Sequence, residues 1–272
     1  MNVKEFLTRT TTAFFLIIAA YALIKFTPDQ WFSLVLFLLI SAGAYELIKL
    51  TQPAKYSLTF VWLTGLIVGY SFTFRKTGSR PDLLPGIILI LVLTGLFFLF
   101  SIRRREDLDT FVKDMGIHFL IIFYLYVPLY FILELKRLGP NFLFFMIFVI
   151  AVGDTGAYFV GSAIGKHKIY PVASPKKTLE GLIAAIITAA LTGWLSIVIF
   201  PLPVKVWVAI VTGGVTGLLS QLSDPIESLF KRAAGKKDSG AILPGHGGIL
   251  DRLDSYIFCA PVLFYIILYF WI

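Results

Sequence analysis

The sequence predicts an all-α, polytopic integral membrane protein of about nine transmembrane helices. Three observations carry that prediction. Of 272 residues, 58% are hydrophobic and only 15% charged, against about 45–50% and 25% in an average soluble domain. The apolar residues gather into runs long enough to cross a bilayer, which needs about 20 residues per helix. The 24 lysines and arginines, which with 16 acids give a net charge of +8, sit almost entirely between or at the ends of those runs. A soluble enzyme, a disordered regulator and a disulfide scaffold are all poor readings, and the single Cys259 cannot form an internal bridge.

The runs are Thr10–Phe26, Trp31–Ile48, Tyr56–Phe74, Leu83–Ile102, Met115–Leu133, Asn141–Ile164, Leu182–Leu202, Val206–Leu222 and Tyr256–Ile272. A membrane strand would be half as long, so each reads as a helix. The first has a rival reading as a secretory signal, with Lys4 and Arg9 before the apolar stretch and Ala20-Tyr21-Ala22 as a cleavage-like site. We read it as a span. Nine spans place 17 lysines and arginines on the N-terminal side and 7 on the other. The positive-inside rule then puts the N-terminus in the cytoplasm. Adding or removing one span would scramble that asymmetry. Residues 1–135 hold spans one to five and residues 136–272 hold spans six to nine.

Ionisable groups within spans are costly and therefore informative. Glu46, Asp154 and the Asp224/Glu227 pair lie in or against apolar runs, and Asp251 and Asp254 open the last one. Each pair has a three-residue spacing, which places both carboxylates on one helix face. With span eight running inward and span nine outward, both pairs lie at cytoplasmic helix ends joined by one loop. Four facing carboxylates repel unless a cation lies between them, and oxygen-only ligands favour a hard ion such as Mg²⁺. Ordinary bridges to Arg232, Arg252 and nearby lysines are the bland alternative, but they require no such clustering.

The loop reads Lys231-Arg232-Ala233-Ala234-Gly235-Lys236-Lys237-Asp238-Ser239-Gly240, then Pro244-Gly245-His246-Gly247-Gly248. Glycines let backbone N–H groups approach an anion, and the bases neutralise it. A basic cluster touching anionic lipid is the commoner explanation of such charge, yet it leaves the glycines and the adjacent acids unexplained. No Walker A loop is present; Gly161-Ser162-Ala163-Ile164-Gly165-Lys166 falls one residue short. A second polar stretch follows span six, with Asp154-Thr155-Gly156, Gly165-Lys166-His167-Lys168 and Ser174-Pro175-Lys176-Lys177-Thr178. Three other sites carry less weight. His118 reads as a packed, hydrogen-bonded side chain. Asp107, Asp109 and Asp114 read as a solvated loop after Arg103–Arg105. Glu46 reads as the partner of Lys49.

The stretch Ser228–Asp254, SLFKRAAGKKDSGAILPGHGGILDRLD, resembles the signature of the phosphatidate cytidylyltransferases, or CDP-diacylglycerol synthases, with its Lys-Arg, Lys-Asp, His-Gly-Gly and Asp-Arg-x-Asp elements. The segment Asp154–Gly181 is similar to that family's second polar region. The motif resemblance covers roughly the last 120 residues; the first five spans match only in apolar character. Two departures stand out. Ser223 and Pro225 flank Asp224 where Gly and an aliphatic residue are expected, and Leu179 stands where Trp is frequent. A kink at Pro225 would change the aim of Asp224.

The resemblance implies transfer of CMP from CTP to phosphatidic acid, giving CDP-diacylglycerol and pyrophosphate, within phospholipid biosynthesis. It implies a catalytic region over spans six to nine that faces the cytoplasm, in a multi-pass protein of the cell membrane. It also implies Mg²⁺, which a second cation would assist, and a homodimer. Asp224 and Asp251 become the first choices as metal ligands, with Asp254 and Asp154 second. Lys231, Arg232, Lys237 and Arg252 would hold phosphates, as would Lys177 in the Ser174–Thr178 stretch. His246 would shape the nucleotide pocket. No nucleic acid is implied. The rival readings are a CTP-dependent lipid kinase of the dolichol or phytol type, and an ion transporter with buried acids.

Overall fold

The computed structural model describes residues 17–53, 58–73, 84–240 and 247–271. These form helices and no strand; the one ladder contact among them is an isolated bridge between Lys168 and Thr178. In chain order the helices are α1 (Ile17–Phe26), α2 (Asp29–Thr51), α3 (Leu58–Thr73) and α4 (Leu84–Ser101). Then come α5 (Leu108–Leu120), α6 (Val127–Leu138), α7 (Pro140–Ile164), α8 (Leu179–Ile199), α9 (Val206–Ala233) and α10 (Leu250–Phe270). Six helices among the described residues are long and apolar enough to cross a membrane, and three shorter apolar ones accompany them. The chain is an all-α, multi-pass membrane protein.

Two helices outgrow their apolar runs. A short 3₁₀ turn, α5, a π-helical segment Ile121–Tyr126 and α6 join into one rod of 34 residues, Arg105–Leu138. At 1.5 Å per residue it measures about 50 Å, well beyond a hydrocarbon core of about 30 Å. The π turn precedes Pro128, whose missing N–H cannot serve the carbonyl of Tyr124; Val127 N–H reaches back to Ile122 instead. Helix α9 continues unbroken through Pro225 to Ala233, so Asp224, Glu227, Lys231 and Arg232 all belong to a helix and not to a loop.

The chain divides into two compact units, Met1–Leu133 with Ser239–Leu250, and Glu134–Asp238 with Asp251–Ile272. In the first, Tyr126 and Ser41 share a 2.9 Å hydrogen bond. The face of α3 carries Gly65 and Gly69 where the rings of Tyr126 and Tyr130 lie against it. His118 is buried among Phe60, Phe97 and Phe98, with Nδ1 2.9 Å from the carbonyl of Asp114, as a packed histidine should be. Asp114 corrects an expectation: it is buried on α5, because the helix starts earlier than the charge run suggested. Glu46 corrects another. It does not turn to Lys49, whose ammonium lies 4.4 Å from the Tyr45 ring centre, but accepts hydrogen bonds from Ser239, Ile249 and Leu250.

The second unit is built on close helix approach. Without a hydrophobic drive between helices in lipid, contact depends on small residues that let backbones meet. Gly153 and Gly217 face Ala185 and Ala189, and Gly193 of α8 faces Ala209 and Gly213 of α9. At the far end Trp271 donates to Thr212 Oγ1 at 3.2 Å and packs edge-on against Phe142 and Phe145. A Cβ on Gly193 would meet the Ala209 carbonyl and lie 3.1 Å from Gly213 Cα, so relief requires the two helices to part. Gly193→Val is therefore expected to destabilise the protein by about 1–3 kcal/mol, read as a lowered Tm in detergent. Gly95→Ala, with nothing within 4 Å of the added atom, should leave Tm unchanged or raise it.

Candidate active site

The second unit contains a cavity of about 670 Å³ whose walls include Asp154, Lys168, Lys176, Lys177, Gln221 and Asp224. Three elements build it. Helix α7 contributes Asp154, whose carboxylate accepts from Gln221 Nε2 at 2.6 Å and from Ser220 Oγ at 3.2 Å. The segment between α7 and α8 contributes the lysines. Helix α9 contributes Gln221 and Asp224.

The lysine segment is fixed from both sides. Thr178 caps α8, its hydroxyl accepting from the Gly181 N–H at 3.2 Å. Glu180 in the first turn of α8 accepts the backbone N–H groups of Lys166 and His167 and meets His167 Nδ1 at 2.6 Å. Leu179 N–H returns to the His167 carbonyl at 2.8 Å, and Lys177 N–H to the Ser174 carbonyl at 3.1 Å. Lys177, next to the cap, is thereby aimed at α9.

Pro225 is what receives it. Lacking an N–H, proline leaves the carbonyl four residues earlier, that of Gln221, without its helical donor. Lys177 Nζ supplies the missing bond at 3.2 Å and sits 2.9 Å from Asp224 Oδ2. The departure from the expected signature thus creates an acceptor, and the uninterrupted α9 leaves Asp224 on the cavity wall.

One turn further along α9 the second charge group begins. Lys231 is paired with both Glu227 and Asp251, the latter at 2.6 Å. Asp254 holds the N–H of the next residue, Ser255, at 2.6 Å, and its carbonyl accepts from Ser223. Carboxylate oxygens of Asp224, Glu227 and Asp254 all lie within 4.8 Å of one another. Glu227 is fully buried, and Lys231 is its one partner among the described residues. Formally, Asp224, Glu227, Asp251 and Asp254 carry four negative charges against the two of Lys177 and Lys231. The surplus matches one divalent cation, and an all-oxygen donor set suits a hard one. These residues fit such an ion.

The sequence-derived residues are thus sorted by the fold. Asp224 and Asp254 come together with Glu227, which the sequence marked only through its three-residue spacing from Asp224. Asp251 meets Lys231, and Asp154 faces the cavity on a hydrogen-bonded pair of α9 side chains. Lys177 is in the cavity wall, whereas Ser174 contributes a backbone carbonyl to the turn before it. Arg232, Lys237 and Arg252 are exposed, the guanidinium of Arg232 donating to the Lys236 carbonyl at 3.0 Å. His246 lies outside the described residues. Sequence reasoning passed over Gln221, Ser220 and Glu180. An amide inside an apolar run was the available signal for Gln221; for Glu180 only its place in the first turn of a helix pointed to capping.

Comparison with known proteins places this geometry in context. The model of the cytidylyltransferase family matches residues 7–270. A phosphatidate cytidylyltransferase of Bacillus subtilis is 31% identical over 249 residues, covering 88% of this chain and 89% of that protein. One from Staphylococcus aureus is 36% identical over 235 residues, covering 84% and 88%. A third, from Staphylococcus saprophyticus, is 37% identical over 150 residues, covering 55% and 58%. The match runs through the N-terminal helices as well as the motif-bearing ones, and the chain belongs to the cytidylyltransferase family.

Proposed function

We propose that this protein is a CTP:phosphatidate cytidylyltransferase that makes CDP-diacylglycerol and pyrophosphate. The observation that carries the reading, beside the family, is the cavity in which Lys177 is held between the Gln221 carbonyl and Asp224, with Lys168 and Lys176 on the same wall. A lipid phosphate oxygen attacks the α-phosphorus of CTP. One P–O bond forms there, the bond to the bridging β-phosphate oxygen breaks, and pyrophosphate leaves with that electron pair. The attacking phosphate is already anionic near neutral pH, so no strong general base is needed. The task is to gather like-charged phosphates in line and offset their repulsion.

The chain's own residues do this in defined ways. Lys177 presents an ammonium whose stem is fixed by the α8 cap and whose head is fixed on α9, so little reorganisation precedes contact with a phosphate. Lys168 and Lys176 offer further positive charge at the cavity wall. Asp154, held by Ser220 and Gln221, keeps the Gln221 amide oriented beside Lys177. Lys231 pairs with both Glu227 and Asp251 and so keeps the acidic group assembled. Mg²⁺ held by Asp224, Glu227 and Asp254, with Asp251 beside them, would supply Lewis-acid polarisation of phosphate oxygens. The 17-to-7 distribution of basic residues favours nine spans with this site facing the cytoplasm of a cell membrane, where CTP arrives from water. Phosphatidate would enter laterally, its tails staying in the bilayer.

Four outcomes test the reading. Purified protein given phosphatidate, Mg²⁺ and CTP labelled at the α-phosphate should place label in the lipid fraction; label released wholly as CDP would make it a lipid kinase. Lys177→Met should lower kcat/KM about 10²–10³-fold, as loss of one fixed transition-state contact does. Pro225→Ala, which gives Gln221 back its helical donor, should weaken activity less, with Lys177 unseated but present. Millimolar Mg²⁺ should raise Tm in detergent by linkage, about 2.7 kcal/mol at a hundredfold excess over Kd. That rise should disappear in Asp254→Asn.

A further inference from the structure

Glu46 stands about 200 residues before the signature, yet its carboxylate is shared by both ends of the signature's glycine-rich stretch. It accepts from the Ser239 hydroxyl at 3.0 Å, the Ile249 N–H at 3.2 Å and the Leu250 N–H at 2.8 Å, and is only 2% exposed. Gly240 and Gly248 are pressed against it: a Cβ at either position would overlap the Glu46 carboxylate oxygens. The backbone can close around this carboxylate because two residues there lack side chains.

We infer that Glu46 is a positioning residue for the site: by holding Ser239, Ile249 and Leu250 it fixes the start of α10, where Asp251 stands. This rests on the cytidylyltransferase reading. The physical reason is twofold. Helix α10 begins at Leu250, and the first N–H groups of a helix need acceptors and favour negative charge. Glu46 supplies both from within the protein, accepting the first N–H of α10, that of Leu250, and the N–H of Ile249 just before it. Leu250, whose N–H it accepts, is joined covalently to Asp251. A helix start that is already held loses less entropy on meeting a ligand than a free one.

The test uses the full chain in detergent and two readouts. CTP affinity, by equilibrium dialysis with Mg²⁺, should fall at least tenfold in Glu46→Ala and about threefold in Glu46→Gln, whose amide oxygen still accepts while its nitrogen cannot. Gly248→Ala should match Glu46→Ala, although it leaves the carboxylate in place. Hydrogen exchange of the peptide spanning residues 247–253 should quicken in all three, with α7 and α8 peptides unchanged. Unaltered exchange there, or CTP affinity within twofold of the parent in both Glu46→Gln and Gly248→Ala, would overturn the assignment. Accelerated exchange together with a parent protein that binds no CTP would instead sink the reaction proposed above and leave the clamp standing.

Discussion

Lys231, held between Glu227 and Asp251, is the contact on which the acidic group of the second unit depends. A fully buried carboxylate such as Glu227 tolerates its position only with positive charge against it, and breaking such a pair costs about 3–5 kcal/mol. Lys231 and Glu227 are one turn apart on α9, so their pairing is local and forms with the helix. Asp251 comes from α10 and makes the same ammonium serve two helices. Lys177 repeats the device at Asp224 with a third element. The acids are thereby gathered without being fully neutralised.

Small residues set where those charges meet. Gly161 and Gly181 let α7 and the start of α8 approach until a Cβ on Gly181 would lie 3.0 Å from the Ala157 carbonyl. That closeness fixes Thr178, and Thr178 fixes Lys177. A Cβ at either glycine would crowd the Thr178 hydroxyl at 3.2 Å and so disturb the cap beside Lys177. Packing that looks like ordinary membrane-helix association therefore has a second effect, because the cavity wall is the continuation of the same contact. Pro225 completes the arrangement by subtraction, removing one donor from α9 so that a lysine can take its place.

Much of this was legible in the sequence, and the limits are physical. Apolar runs were readable as helices because hydrocarbon demands length and apolarity; the start of the first, Thr10–Phe26, lies outside the described residues. Helix ends were not: α9 runs to Ala233 and α10 starts at Leu250, since polar helical turns beyond the bilayer carry no hydropathy signal. That is why Asp224 and Glu227 read as a helix end and prove to lie well inside one. Asp114 misled for the same reason. The three-residue spacings of the acids were informative because periodicity survives such errors. Glu46 was unreadable, since nothing local distinguishes a glutamate that pairs with Lys49 from one whose partners lie some 200 residues away.

The signature itself is continuous in sequence but not in the fold. Ser239–Leu250 belongs to the compact unit of the first 133 residues, whereas Lys231 and Asp251 belong to the other. A family motif that is split in this way cannot be the property of the last four spans alone. The N-terminal helices then have two demands on them: to fit the bilayer, which composition alone satisfies, and to present one carboxylate at one depth, which requires a particular residue on a particular face of α2. The first demand leaves nearly every apolar side chain interchangeable. The second gives Glu46 a reason to stand near the end of apolar α2, at a position that hydrophobicity alone would fill with leucine.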